Sequence, residues 1–180
     1  MIKEYTVKEM ELYNSGTNRV EDFEKASKFW SKIANPDGTI NSAYGYLIWF
    51  NKSCGIENKM TPWQWVKTSL INDRDTRQAV LRFSLPEHFW LNNKDQVCTL
   101  HAIFLIRENR LHMTVNMRSN DLMKGLVYDA PWFASLMYKL RDELKEVYPN
   151  LEIGQYNHYV HSMHIYEQDN DKILRMLGIS

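Results

Sequence analysis

Residues 98–120 read CTLHAIFLIRENRLHMTVNMRSN. Cys98, Leu100, Ala102, Phe104 and Ile106 fall at every second position, and Leu111, Met113, Val115 and Met117 do the same further on. Such alternation marks two half-buried strands. The tight Glu108-Asn109 connection predicts a hairpin, because Asn tolerates the positive φ that two-residue turns require. In that register Ile106 faces Leu111, Phe104 faces Met113, Ala102 faces Val115 and Leu100 faces Met117. Every pair is apolar on apolar, and a slip of one residue would mix the faces. The same register sets Cys98 opposite Ser119 and beside Arg118, a thiol next to a guanidinium.

Working outward, Val20, Phe23, Trp30 and Ile33 have helical spacing, with Asn18 and Glu21 as a capping box. Pro36-Asp37-Gly38 reads as a turn and Tyr44 to Phe50 as a strand. Thr61 and Pro62 open a helix that buries Trp63, Val66 and Leu70. Residues 72–77 form a charged turn, and Ala79, Leu81, Phe83 and Leu85 alternate as a strand. Downstream, Asp129 caps a helix with Pro131 in its first turn and a stripe of Phe133, Leu136, Leu140, Leu144 and Val147. Leu151 to Tyr166 reads as a last strand. Helices and strands mix without a βαβ rhythm, which predicts an α+β fold.

The 180 residues fit one domain, 1–180, and 44% hydrophobic content is enough for a real core. Lys plus Arg number 22 and Asp plus Glu 22. That neutrality removes the electrostatic reason to expect a nucleic-acid polymer or an anionic membrane as partner. The apolar run Ala43 to Phe50 is too short to cross a bilayer and no signal segment opens the chain. Two cysteines are too few for a disulfide scaffold and suit a reducing cytoplasm.

Several residues carry candidate chemistry. A cysteine on an apolar row is ordinarily an inert core residue. A neighbouring Arg118 would lower the Cys98 pKa and supply the nucleophilic thiolate. Cys54 has no such neighbour. Arg118-Ser119-Asn120-Asp121 groups a guanidinium, a hydroxyl, an amide and a carboxylate, either a phosphate receptor or a solvated strand end. Arg77 could join that anion site or simply be exposed. His158 and His164 would lie about 20 Å apart along a strand, with His161 facing the other way, so they do not form a metal site. Spacing alone gives Glu9 no role beyond a solvated helix residue.

Asn116-Met117-Arg118-Ser119-Asn120-Asp121, followed by Gly125 and Asp129, resembles the nucleotide-binding stretch of the thymidylate synthase family. The closest likeness is to its deoxycytidylate hydroxymethylase branch, known from bacteriophages. Supporting segments are 38–45 (GTINSAYG), 73–77 (DRDTR), 97–99 (VCT) and 162–166 (SMHIY), collinear with the family from about Glu9 to Tyr166. The resemblance implies a mixed sheet flanked by helices and a homodimer paired sheet against sheet, covering His101, Thr114 and Asn116. It implies Cys98 as the nucleophile that adds to C6 of a pyrimidine, with Glu9 as the catalytic glutamate, the base that orients water. It also implies Arg118 and Ser119 as phosphate ligands and Arg77 as an arginine donated to the partner's phosphate. His164 and Tyr166 would hold the sugar 3′-hydroxyl. Asp121 and Tyr44 would line the base and folate site.

Asp129 stands where thymidylate synthases carry Asn. An Asn amide suits uracil, which offers N3–H and O4; cytosine offers the opposite pattern, which a carboxyl group with one proton answers. Mismatched buried groups cost about 1–3 kcal/mol each. Asn caps helices as well as Asp does, so capping does not explain the choice. The resemblance therefore implies transfer of a hydroxymethyl group from 5,10-methylenetetrahydrofolate to C5 of dCMP, with Asp129 stabilising the adduct and no metal. Thr99, where synthases usually carry His, fits the same branch. Relative to the family the chain is shortened at both ends, and Gln78 replaces a second arginine. The alternatives are an enzyme acting on dUMP and a non-catalytic nucleotide-binding relative.

Overall fold

The computed structural model describes residues 2–54 and 59–179. Its centre is the expected hairpin: β2 (Thr99–Arg107) and β3 (Arg110–Met117) pair antiparallel, with Ile106 on Leu111, Phe104 on Met113 and Ala102 on Val115. Glu108 and Asn109 take φ of 50° and 60°, the left-handed values such a turn needs. β1 (Val80–Arg82) lies antiparallel on β2, and β5 (Glu152–Val160) lies parallel on the far side of β3. The sheet is thus mixed, in the order β1-β2-β3-β5.

The fourth expected pair is displaced. A β-bulge at Leu100 sets Thr99, not Leu100, against Met117, and the Arg118 amide donates to the Cys98 carbonyl at 2.9 Å rather than leaving Cys98 facing Ser119. An extra residue in one strand flips the side chains before it. Thr99 becomes fully buried and Cys98 leaves the core-facing row, half-buried.

One face of the sheet is covered by helices. α5 (Leu126–Leu144) packs on β3 and β5, burying Trp132, Phe133, Leu136, Met137, Leu140 and Leu144. It begins before Asp129, so Asp129 is not a cap. Its amide donates within the helix to Gly125 O at 2.9 Å, and Pro131 sits inside the helix rather than in its first turn. Val147 lies beyond the helix and is exposed. α4 (Pro62–Asn72) packs on β1, β2 and α5 and starts as expected: Thr61 Oγ1 accepts from Gln64 N at 3.2 Å, and Thr61 N donates to Gln64 Oε1 at 2.9 Å. The opposite sheet face carries half-buried His101, Thr114 and Asn116.

The N-terminal stretch is helical in pieces, α1 (Ile2–Ser15), α2 (Val20–Phe23) and α3 (Phe29–Ile33). The Asn18 capping box does not form: the Asn18 carbonyl accepts from Ile40 N at 2.8 Å, and Arg19 precedes α2 without a side-chain cap. Tyr46–Phe50 is a π-helix, not a strand. A continuous apolar run suits either element, and here it packs on α4. Gly45 lets the segment before it press on α1, since a Cβ there would collide with the Tyr13 carbonyl. The last strand is broken at His161-Ser162. A short β6 (Met163–His164) then pairs parallel with β4 (Asn120–Asp121), and α6 (Asn170–Met176) follows.

Gly45→Ala is expected to cost about 1–3 kcal/mol, because the clash is with backbone that cannot rotate away. Urea denaturation checks this; an unchanged midpoint would show that α1 does not depend on the close approach.

Candidate active site

Because α1 packs on α5, Glu9 and Asp129 are brought to one interior region. Glu9 is only 8% exposed, and Tyr13, one helical turn on, donates its phenol hydrogen to Glu9 Oε1 at 3.1 Å. Oε2 is buried without a hydrogen-bond partner. Burial, then the nearby Asp129 charge, pushes the Glu9 carboxyl up to about 8. Burial likewise raises Asp129 to about 7, against a lowering hydrogen bond from Asn120. Both acids therefore hold or share protons at neutral pH, where ordinary carboxyls are ionised.

Cys98 is half-buried and within reach of the Asp129 charge. Arg118 Nη2 is 3.6 Å from its sulfur, so the adjacency read from the hairpin holds. Its net effect differs from expectation. Arg118 does lower the thiol pKa, but burial outweighs it, and Asp129 and Asp95 add to the rise, so the thiol stands above its ordinary value. Protonation of Asp129 removes one of those opposing charges. Arg118 is anchored by Nε donating to Val97 O at 3.1 Å and by Nη2 donating to Gln96 O.

Tyr44 is buried, stacked on Tyr13 at 5.3 Å, and its phenol accepts from Thr99 Oγ1 at 2.9 Å. It shapes the wall behind Cys98 rather than offering a free surface to a ligand. β4 and β6 join the remaining polar residues: Ser119 Oγ lies 3.3 Å from His164 Nδ1, and the Tyr166 ring meets His164 edge-on at 5.1 Å. Asp121 Oδ1 accepts from the amides of Met123 and Lys124 at 2.6 and 2.9 Å, while Oδ2 is buried without a partner.

Arg77 is not brought in. Its turn is tied to the other end of β2, where Arg107 Nη2 donates to Asp75 O at 3.1 Å. Thr99 to Arg107 spans about 26 Å of strand, so Arg77 cannot join the Arg118 site of its own chain. A cavity of about 550 Å³ between Asn35, Asn41, Tyr46, His88 and Trp90 also lies apart and is lined by none of the residues above.

Sequence reasoning missed a polar group beneath Asp129. His158 Nδ1 is 2.6 Å from Tyr156 Oη, and Asn120 Nδ2 is 3.5 Å from His158 Nε2. The alternation of Tyr156, His158 and Val160 on one side of β5 was the available signal. Which strand β5 joins could not be read from it.

The two raised carboxyls set the sign of a pH effect. Folded Glu9 keeps its proton to about 8, whereas an ordinary glutamate carboxyl ionises at 4.5. The folded state then binds more protons than the unfolded one, and stability falls as pH rises through that window. Glu9→Gln should match the wild type near pH 5 and exceed it by about 1–3 kcal/mol near pH 9. Denaturant titrations at both values decide; parallel pH profiles would show that Glu9 ionises freely.

Comparison with known proteins agrees with this geometry. The family model described as Thymidylate synthase matches residues 1–178. Deoxycytidylate 5-hydroxymethyltransferase of Enterobacteria phage T6 is 30% identical over 172 residues, covering 92% of this chain and 68% of the relative. Deoxyuridylate hydroxymethyltransferase of Bacillus phage SP01 is 31% identical over 136 residues, covering 72% of this chain and 34% of the relative. The solved structure of thermostable thymidylate synthase A from Bacillus subtilis superposes with a TM-score of 0.73 at 20% identity, over 96% of this chain and 61% of that one. The chain belongs to the thymidylate synthase family.

Proposed function

We propose that this protein transfers a hydroxymethyl group to C5 of dCMP, using Cys98 as the nucleophile. The observation that carries the reading is the Asp129 carboxyl, which burial pushes up to about 7 and whose charge reaches the Cys98 thiol. A carboxyl carrying one proton offers the donor–acceptor pair that the N3 and N4 edge of cytosine requires.

The roles follow from position. Arg118 and Ser119 would take the phosphate at the strand end, and His164 with Tyr166 the sugar hydroxyl. Thiolate addition to C6 pushes electrons toward N3 and C5, and the Asp129 O–H at N3 stabilises that charge. Glu9, protonated at rest, can give a proton and then orient water as a base. 5,10-Methylenetetrahydrofolate would supply the one-carbon unit. Its pterin ring presents N–H donors, and the unpartnered buried Asp121 Oδ2 is an acceptor that suits them. A second copy pairing on the His101, Thr114 and Asn116 face would bring its own Arg77 within reach of this chain's phosphate. The 31% identical deoxyuridylate hydroxymethyltransferase supports dUMP as the second reading.

With methylenetetrahydrofolate and nucleotide tritiated at C5, release is expected from dCMP and abolished in Cys98→Ala. Release from dUMP alone would overturn the cytosine assignment. Release from neither, with nucleotide still bound, would overturn turnover.

A further inference from the structure

We propose that Asp95 is a positioning residue for the nucleophile, its carboxylate latching the segment that carries Cys98 onto Ser42; this rests on the reading of Cys98 above. Residues 93–98 form neither helix nor strand, yet they deliver the thiol to the start of β2. They are held at both ends and in the middle. Before Cys98, Ser42 N donates to Asp95 Oδ2 at 2.8 Å and Ser42 Oγ donates to Asp95 Oδ1. Asn41 Nδ2 donates to the Asp95 carbonyl at 3.1 Å, and Asp95 N donates to Asn93 Oδ1 at 2.9 Å. After Cys98, Thr99 Oγ1 donates to Tyr44 Oη. Asp95 and Thr99 are therefore pinned to the segment 41–44 on either side of the thiol. Between them Arg118 donates to the Val97 and Gln96 carbonyls, and the Gln96 oxygen is also 4.0 Å from Cys98 Sγ. A shift of Gln96 would displace the thiol and the guanidinium together.

Asp95 is 3% exposed, and both of its oxygens are met by neutral donors on Ser42. Burying a carboxylate is costly, and its charge also opposes a thiolate at Cys98, alongside Asp129 and against Arg118. His88 of the turn Pro86–His88 and Tyr44 share the same field. What the carboxylate supplies in return is direction. Two acceptors meet two donors of one residue, and hydrogen bonds to an ionised acceptor are shorter and stronger than neutral ones. A loop with no ladder of its own thereby gains a fixed orientation next to the reacting atom. Misplacing such an atom by about 1 Å can cost about a hundredfold in rate.

The test compares wild type with Asp95→Asn, Asp95→Ala and Ser42→Ala. It measures kcat and KM on the nucleotide that the wild type turns over, dCMP or dUMP, and the alkylation of Cys98 by iodoacetamide in the ligand-free protein, read site by site by mass spectrometry. An amide at position 95 keeps both contacts, its oxygen accepting from Ser42 N and its NH₂ donating to Ser42 Oγ. Asp95→Asn should therefore keep kcat within about threefold, whereas Asp95→Ala should lose about tenfold or more in kcat with a smaller change in KM. The limiting alkylation rate at high pH, where the thiol is ionised, should rise in Asp95→Ala and not in Asp95→Asn, because a freed segment uncovers the half-buried sulfur. Ser42→Ala, which keeps the backbone contact, should move both readouts in the direction of Asp95→Ala and carries the test if that variant does not fold. Lowered stability with kcat and the limiting alkylation rate unmoved would reduce the latch to a structural element and overturn the proposal. Equal losses in Asp95→Asn and Asp95→Ala would overturn it too, since the charge and not the contact would then matter. Should Cys98→Ala retain turnover, or the wild type show none, the nucleophile reading falls; the limiting alkylation rates then decide the latch alone, upheld by a rise and overturned by none.

Discussion

Glu9 and Asp129 stand near one another on packed helices, Glu9 buried and Asp129 partly so, and among the described residues neither carboxyl has a cationic partner. Tyr13 supplies a neutral hydrogen bond to Glu9. Desolvation of two like groups favours their protonated forms and works against folding as pH rises. A core built for stability alone would place apolar side chains there. The aromatic wall of Tyr13, Tyr44 and Trp132, with rings 5.1–5.3 Å apart, maintains the dry surroundings that keep protons on these acids at neutrality. Proton-bearing carboxyls next to a thiol are suited to adding a nucleophile to a ring while controlling where the ring's charge settles.

Backbone irregularities position the rest. The bulge at Leu100 takes Cys98 off the core-facing row and sends the Thr99 hydroxyl inward to Tyr44. The break at His161-Ser162 lets β6 pair with β4, bringing His164 to Ser119. Both depart from regular pairing next to the site, where re-aiming side chains matters more than ladder continuity.

Much of the scaffold was legible in the sequence because its periods are clean. Alternation gave the hairpin as far as Ala102 and Val115, and Thr61 with Pro62 marked the start of α4. Legibility failed where local signals are degenerate. The apolar run at Tyr46–Phe50 suits a strand or a buried helix equally, and Asp129 with Pro131 imitates a helix start although α5 begins earlier. Bulges leave no trace in apolar alternation, so the pattern sets Cys98 opposite Ser119, whereas the structure pairs it with Arg118. Glu9 was visible only through family resemblance, because one buried acid on a mixed helix has no periodic signature. Asn120 and His158 depend on the parallel partner of β3, a long-range contact that no local pattern specifies.

Whether a carboxyl at position 129 selects the base is measured most directly by Asp129→Asn. Steady-state kinetics on dCMP and dUMP should show a preference for dCMP in the wild type and a shift toward dUMP in the variant, whose carboxamide can accept from N3–H and donate to O4 of uracil and carries no proton that the site must hold. Retention of the dCMP preference by Asp129→Asn would contradict the central role given to this carboxyl.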